Sequence, residues 1–470
     1  MRRIEELPGP RGLPVLGNVL QIRPARMHRQ LEQWADQFGP FFQLKLGRLP
    51  TLVVGGHEHV AAMLRDRPEG FNRTSRLQAI GAEMGLKPGV FGASGDDWKR
   101  QRRMVMAGFD PAHVKSYFPS LQNVAERLYR RWAQAARQGH DIQLQADLMR
   151  YTVDTIAGLA FGAEVNTLES GGDVIQQHLD KIFPALLRRV MSPLPTWRYL
   201  PSRADRALAR GVLEVNKAVD AFIAQARQRM VAEPGLRTQP RNLLEAMIAA
   251  ADEPGSGISD RQVAGNVMTM LLAGEDTTAN TIAWMIDLLW RHPSALARAT
   301  LEVRTVLDGS TAPSFEQIAQ LQYVEACAHE TMRLKPVAPL IALQANRDSV
   351  VGDVQVPAGS VVVTLMRRDS VSEQYLLQAA RFEPERWLAE SPAGALAANA
   401  KRTSMPFGAG PRICPGRYLA LLEMKMAMAT LLQRFDIVSV DTPDGQPARE
   451  HLSFTLTPVG LTMRLRERGL

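Results

Sequence analysis

The sequence predicts a mainly α-helical protein with a small β region, and three observations carry that prediction. Apolar residues recur at helical spacing through most of the 470 residues. One helical stretch, 259–291, is well above the usual length for a globular helix, so it crosses the whole domain. The β-type runs are short and sit in pairs around glycine and proline turns.

The elements follow in chain order. Residues 41–46 and 51–54, joined by Gly47-Arg48-Leu49-Pro50, read as a hairpin. Trp98 and Arg102 lie four apart and share a helix face. The long helix opens on the capping box Ser259-x-x-Gln262 and stops at His292-Pro293, where proline disfavours further helix. Its middle, Ala273-Gly274-Glu275-Asp276-Thr277-Thr278, holds poor helix formers, and a threonine hydroxyl that bonds the carbonyl one turn back bends a helix there. Met268, Met270, Leu271, Leu272 and Ile282 flank this polar patch and imply that it is buried. Glu330-Thr331-Met332-Arg333 ends the next helical run, which stops at Lys335-Pro336. Residues 350–356 and 360–364 read as a second strand pair around Pro357-Ala358-Gly359, and 454–456 with 461–464 as a terminal hairpin around Pro458-Val459-Gly460. Loops at 170–173, 233–235, 252–257 and 442–445 punctuate elements, and no internal repeat or long linker divides the chain. Residues 1–470 therefore read as a single domain.

Composition narrows the function classes. The two cysteines, Cys327 and Cys414, lie in no C-x-x-C pair, which argues against a zinc site or a disulfide framework and fits a reducing cytoplasm. Cys327 sits in an apolar helix and reads as core. The first residues contain no apolar run, so neither a signal peptide nor a membrane anchor is expected. The net charge is +8, with a cluster at Lys99, Arg100, Arg102 and Arg103 beside Trp98. No nucleic-acid motif or interleaved aromatic pattern accompanies it, so no nucleic-acid partner is expected.

Cys414 is the most informative residue. It lies in Phe407-Gly-Ala-Gly-Pro-Arg-Ile-Cys-Pro-Gly416, directly before an amphipathic helical segment. Glycines let a loop fold tightly round the sulfur, and the first free amides of the next helix favour negative charge on it. Both effects lower a thiol pKa. A buried structural cysteine is the plain alternative. A phosphatase-type nucleophile needs C-x-x-x-x-x-R, and Ala420 stands at the arginine position.

The run resembles the haem-ligand signature of the cytochrome P-450 family, F-G-x-G-x-R-x-C-x-G, with every fixed position matched. The stretch 273–278 is similar to that family's oxygen-activating motif, with Asp276 in the acid position and Thr277 in the alcohol position. Glu330, Arg333 and, in Phe382-Glu383-Pro384-Glu385-Arg386-Trp387, Arg386 match the family's E-x-x-R helix and P-E-R-[FW] segment, which implies a buried charge network fixing the cysteine loop. Trp98 and Arg102 match W-x-x-x-R, which bonds a haem propionate, and Arg412 occupies another propionate position.

The resemblance spans nearly the whole chain and implies a soluble, bacterial-type haem-thiolate monooxygenase. Haem b would lie between the long helix and the cysteine helix, with Cys414 as the axial thiolate and metal ligand. Trp98, Arg102, Ala273, Phe407, Arg412 and Gly416 would bind the cofactor, and Asp276 and Thr277 would act in catalysis. The implied partners are dioxygen, an apolar small molecule, and a separate ferredoxin or flavodoxin with its NAD(P)H reductase, docked on the basic helix near Lys99, Arg100 and Arg103. No fused reductase domain is expected, since the sequence leaves no room for one after Cys414. By family position the substrate is lined by 73–95, 183–199, the first half of the long helix and 337–341, with Arg48, Arg73 or Arg76 as candidate anchors for a carboxylate. One departure stands out: the family often places a propionate-holding arginine where this chain has Leu343, which shifts that work to Arg102 and Arg412. A peroxide-dependent peroxygenase, a hydroperoxide-rearranging relative and a non-enzymatic thiolate-haem sensor are the alternative readings.

Overall fold

A computed structural model describes residues 1–47, 49–162, 165–170, 174–388 and 394–469. Arg48 and positions 171–173 of the expected 170–173 loop lie outside the described residues.

The long helix is Asp260–Arg291, 32 residues and about 48 Å at the standard rise. Ser259 caps it, accepting from the Gln262 amide while the Gln262 side chain accepts from the Ser259 amide. The helix runs unbroken through 273–278. Gly274 serves close packing there rather than a break: a Cβ at this position would come within 2.6 Å of the Ile156 side chain on helix Leu144–Phe161. The Thr277 hydroxyl donates to the Ala273 carbonyl at 2.7 Å, as the sequence predicts.

The helix is shared between two apolar cores. Val263, Val267 and Met268 belong to one, with helix Arg203–Ala232. Ile282, Trp284 and Met285 belong to the other, with helices Phe118–Gln138 and Arg417–Arg434. The change from one core to the other falls at 273–278, so the polar patch sits where the two cores part.

Among the described residues the largest sheet has five strands, in the order Phe41–Leu46, Leu49–Val54, Val361–Leu365, Leu340–Ala345, Phe71–Arg73. The first hairpin pairs as expected, Phe41 opposite Val54. The expected pairing of 350–356 with 360–364 does not form. Ser349–Val351 turns back on Val354–Val356 at Gly352, where φ is 61°. Val361–Leu365 instead takes a central place in the large sheet, which suits its run of valines. The terminal hairpin also differs. Glu450–Leu452 pairs with Leu456–Pro458, with the turn at Phe454 rather than at Pro458-Gly460. Phe454 has φ 99°, and its ring stacks on Phe183 at 4.4 Å. Thr462–Glu467 is left to pair with Phe435–Asp441 and Ile142–Gln143.

Glu330 and Arg333 form a fully buried pair at the end of helix Gln322–Leu334. Arg333 uses all five donors: two to the Glu330 carboxylate at 2.7 and 2.8 Å, and three to the carbonyls of Ser370, Ala379 and Arg381. Glu330 also accepts from the Trp387 indole at 2.9 Å and the Glu383 amide at 3.0 Å, and Arg386 approaches it at 3.4 Å. The network thus ties the helix to segment 370–387. The buried charge network expected from the resemblance is present, and its bonds go to that segment, which precedes the cysteine loop in the chain. Arg333→Lys keeps the charge but offers three donors to the same acceptors. It should cost about 3 kcal/mol, in the range for a broken buried pair, read as a lower thermal midpoint of the protein. An unchanged midpoint would show that the bonds are not needed.

Candidate active site

Between the middle of the long helix and the cysteine loop lies a cavity of about 340 Å³. Ala273, Gly274, Thr277 and Thr278 line it from the long helix, and Phe407, Arg412, Cys414 and Gly416 from the loop. A larger hollow of about 540 Å³ between Gly12–Gly17 and Pro50 is an open surface groove that contains none of these residues.

The loop is shaped by glycine. Gly408 and Gly410 take φ 76° and 70°, and a Cβ on Gly410 would fall 2.6 Å from the Arg65 Cα. The Cys414 amide donates to the Phe407 carbonyl at 2.9 Å, closing the loop, and helix Arg417–Arg434 starts at Gly416. The sequence-based expectation of a lowered thiol pKa is only half met. Burial pushes the Cys414 thiol up, while the Gly416 backbone amide and the charges of Arg102 and Arg417 pull it down, and burial wins. The polypeptide alone does not make the thiolate; a bound metal cation does so outright. Cys327 is buried in apolar core, away from the cavity.

Four guanidiniums line the cavity: Arg67, Arg73, Arg102 and Arg412. Arg412 stacks over Trp98 at 4.8 Å and donates to Ala93 O at 2.5 Å, while Arg102 donates to Ile413 O at 2.8 Å. Among the described residues no carboxylate bonds any of the four. The Nε atoms of Arg67, Arg73 and Arg412 are buried without a partner. Burial, reinforced by mutual repulsion, pushes Arg67 down to about 8, and Arg73 and Arg412 to about 10. Arginine keeps its proton in proteins, so this downward push marks an uncompensated charge that an anion would relieve. A planar group bearing two carboxylates at its edge and a metal at its centre fits this donor set: haem fits.

The two expected catalytic residues part company. Thr277 lines the cavity. The Asp276 carboxylate turns away from it, accepting from Asn280 at 2.6 Å and from the Thr455 hydroxyl. Burial raises its pKa, against the pull of both bonds. Sequence reasoning missed Glu423, one helix over. This carboxyl is buried, lines the cavity near the Thr278 hydroxyl, and leaves Oε1 without a partner among the described residues. Burial pushes it up to about 8. A glutamate inside the apolar run Leu421-Leu422-Glu423-Met424 was the available signal. Arg67 was missed because one arginine in a polar loop has no pattern.

Of the expected lining segments, Val90 and Phe91, Asn266 and Met270, and Val337 and Ile341 reach the cavity, whereas none of 183–199 does. Arg76 is no anchor: it donates to the carbonyls of Arg189, Val190 and Ser192, closing the end of helix Val174–Met191. Lys99 pairs with Glu69 and Asp96, and Arg100 with Asp97, so much of the basic cluster is locally neutralised.

Comparison with known proteins agrees with this geometry. The family model for cytochrome P-450 matches residues 7–464, and the chain belongs to that family. It is 25% identical to the chloroplastic protein LUTEIN DEFICIENT 5 of Arabidopsis thaliana, over 96% of this chain and 76% of that protein. It is 28% identical to a self-sufficient cytochrome P-450 monooxygenase of Aspergillus niger, over 100% of this chain but only 44% of the relative's length. The crystal structure of the cytochrome P-450DA haem domain superposes with a TM-score of 0.85 at 25% identity, covering 100% of this chain and 99% of that one. The family binds haem through a cysteine thiolate, and its monooxygenases are oxidoreductases. Relatives come from plants, fungi, mammals and bacteria, so the bacterial-type expectation finds no support. Among the described residues no helix is long and apolar enough to cross a membrane.

A carboxyl raised from 4.5 to about 8 holds its proton more tightly in the folded state. Stability should therefore fall as pH rises through that window. Glu423→Gln should remove part of that slope, read as a flatter plot of thermal midpoint against pH from 5 to 8. Identical slopes in variant and parent would place the titration elsewhere.

Proposed function

We propose that the protein is a haem-dependent monooxygenase that inserts one atom of dioxygen into an apolar organic molecule, by hydroxylation or epoxidation, with electrons from a separate protein. The observation that carries the reading is one cavity in which the Cys414 thiol, the Thr277 hydroxyl and a set of unneutralised arginines meet. Haem, when bound, supplies the oxygen chemistry. The chain's own residues do the rest. Cys414 would be the iron ligand, its negative charge held by the Gly416 amide and Arg102. Trp98, Arg102 and Arg412 would hold the cofactor's carboxylates, with Ala273, Phe407 and Gly416 lining the same cavity. Thr277 would steer protons within the cavity. Asp276 would supply those protons once its carboxylate leaves Thr455, and Thr278 with the neutral Glu423 forms a second proton-bearing pair on the cavity wall. Val90, Phe91, Ile156, Met270, Val337 and Ile341 give the cavity an apolar lining that suits a hydrocarbon-rich substrate.

A small acidic ferredoxin or flavodoxin would dock on the Cys414 side. With Lys99 and Arg100 paired, Arg103 and Arg417 are cations there that have no carboxylate partner among the described residues, and they would contribute to the steering. The two free cysteines support a reducing, cytoplasmic setting. The turned Asp276 carboxylate favours one second reading, a peroxygenase that takes peroxide directly and needs no proton from that acid.

Two variants test the proposal. Cys414→Ser should abolish the strongly red-shifted absorption band of the reduced carbon-monoxide complex, and a band that survives unchanged would remove Cys414 as the ligand. Thr277→Ala should keep consuming NADPH, with the donor proteins present, while oxygen is diverted from product to hydrogen peroxide. Fully coupled turnover in that variant would dismiss the threonine's role, and turnover of the parent with peroxide alone would favour the peroxygenase.

A further inference from the structure

Asparagine is a poor helix former, and its amide is costly to bury without partners. Asn266 nevertheless sits in the apolar run Val263-Ala264-Gly265-Asn266-Val267-Met268 of the long helix, fully buried, where it lines the cavity. Its amide joins three segments. Oδ1 accepts from the Val90 amide at 2.9 Å. Nδ2 donates to Gln101 Oε1 at 2.7 Å and to the Gln262 carbonyl at 2.8 Å. Gln101, also fully buried, lies on helix Gly95–Gly108 and donates to Asp97 at 2.9 Å, and the Gln262 side chain donates to the same carboxylate at 2.6 Å.

Val90 and Phe91 line the cavity from the loop before that helix. Loop and long helix touch directly because two glycines leave out the side chains between them. A Cβ on Gly265 would come within 2.1 Å of the Pro88 carbonyl oxygen, and one on Gly89 within 2.2 Å of Thr269 Oγ1. The loop has other ties, and they lie to either side of the wall. Gln78 donates to the Gly92 carbonyl at 2.6 Å. Asn216 donates to the Gly85 carbonyl at the exposed edge, and Lys87 pairs with Asp220, whose side chain is 60% exposed. An exposed pair holds a chain weakly, whereas a buried amide that lets go leaves unsatisfied groups behind. Asn266 makes its contact at Val90 itself, so it fixes where the wall stands.

We propose that Asn266 is a positioning residue that staples the Val90–Phe91 wall to the long helix and so restricts the cavity to compact apolar substrates, excluding bulky ones. This rests on the haem-binding reading of the cavity, because ligands of the iron probe the wall.

Absorbance titration of the haem-loaded protein with two nitrogen ligands of iron tests it without turnover. Imidazole is too small to reach the wall, whereas the triaryl azole clotrimazole is not. Asn266→Leu keeps the volume and breaks the staple. It should bind imidazole as the parent does and clotrimazole roughly ten-fold more tightly, the effect of one buried hydrogen bond released. Asn266→Asp keeps the acceptor for the Val90 amide and should stay near the parent with both ligands. Hydrogen exchange of peptide 85–94, followed by mass spectrometry, should speed up in Asn266→Leu and not in Asn266→Asp. Parental clotrimazole binding in Asn266→Leu would overturn the proposal, as would an Asn266→Asp variant as permissive as Asn266→Leu. Weakened imidazole binding in Asn266→Leu would overturn it too, assigning Asn266 to the cofactor site as a whole. Failure of the haem reading itself would look different, since the parent would then show no haem absorbance.

Discussion

Uncompensated positive charge is the constraint around which this cavity is built. Four guanidiniums face it, three with a buried Nε that bonds nothing among the described residues. Burying one unpaired charge is costly, and burying several within reach of each other is more so. Two features keep the charges in place. Aromatic faces, Trp98 under Arg412 and Phe91 under Arg73, take the flat sides of two of them. Backbone carbonyls take some of the edges. What remains is a ring of donors matched to carboxylates, so binding the cofactor relieves a cost built into the polypeptide and contributes to its stability by mass action.

The same logic explains where the site lies. A helix buried on all sides has no free face on which to place polar chemistry, and most of Asp260–Arg291 is buried on all sides. Where it passes from one apolar core to the other a gap opens, and Ala273, Gly274 and Thr277 occupy it. The remote Glu330–Arg333 pair serves the site indirectly. It anchors segment 370–387, which lies before the cysteine loop in the chain.

This division marks what the sequence could reveal. The long helix with its Ser259 cap, the first hairpin and the position of Cys414 were legible because local chemistry decides them: a capping box, a short alternating run, glycines at positive φ. The pairing of Val361–Leu365 was not, because its partners Leu49–Val54 and Leu340–Ala345 are chosen by burial on both faces, not by the nearest turn. Phe454 hid the last hairpin for a related reason, since a phenylalanine gives no turn signal in sequence, and its ring stacks on Phe183, which is distant in the chain. In the site, motif residues were found and isolated ones were not. Arg67 and Glu423 belong to no pattern, and their importance comes from burial alone.

Glu423 and Asp276 show why burial matters for chemistry. Both are carboxyls pushed up by desolvation, yet the consequences diverge. Asp276 accepts two hydrogen bonds that stabilise its ionised form, and it is held outside the cavity by Thr455 and Asn280. Glu423 has only the nearby Thr278 hydroxyl to pull it down and an oxygen with no partner among the described residues, so burial wins and it retains its proton through neutral pH. A neutral carboxyl is a donor as well as an acceptor, while a carboxylate only accepts. The wall beneath the long helix therefore offers a proton at Glu423 inside the cavity, while the Asp276 carboxyl is turned out of it. Thr277 and Thr278, adjacent in sequence, both line the cavity: one bonds the Ala273 carbonyl of its own helix, and the other stands near the protonated acid of helix Arg417–Arg434.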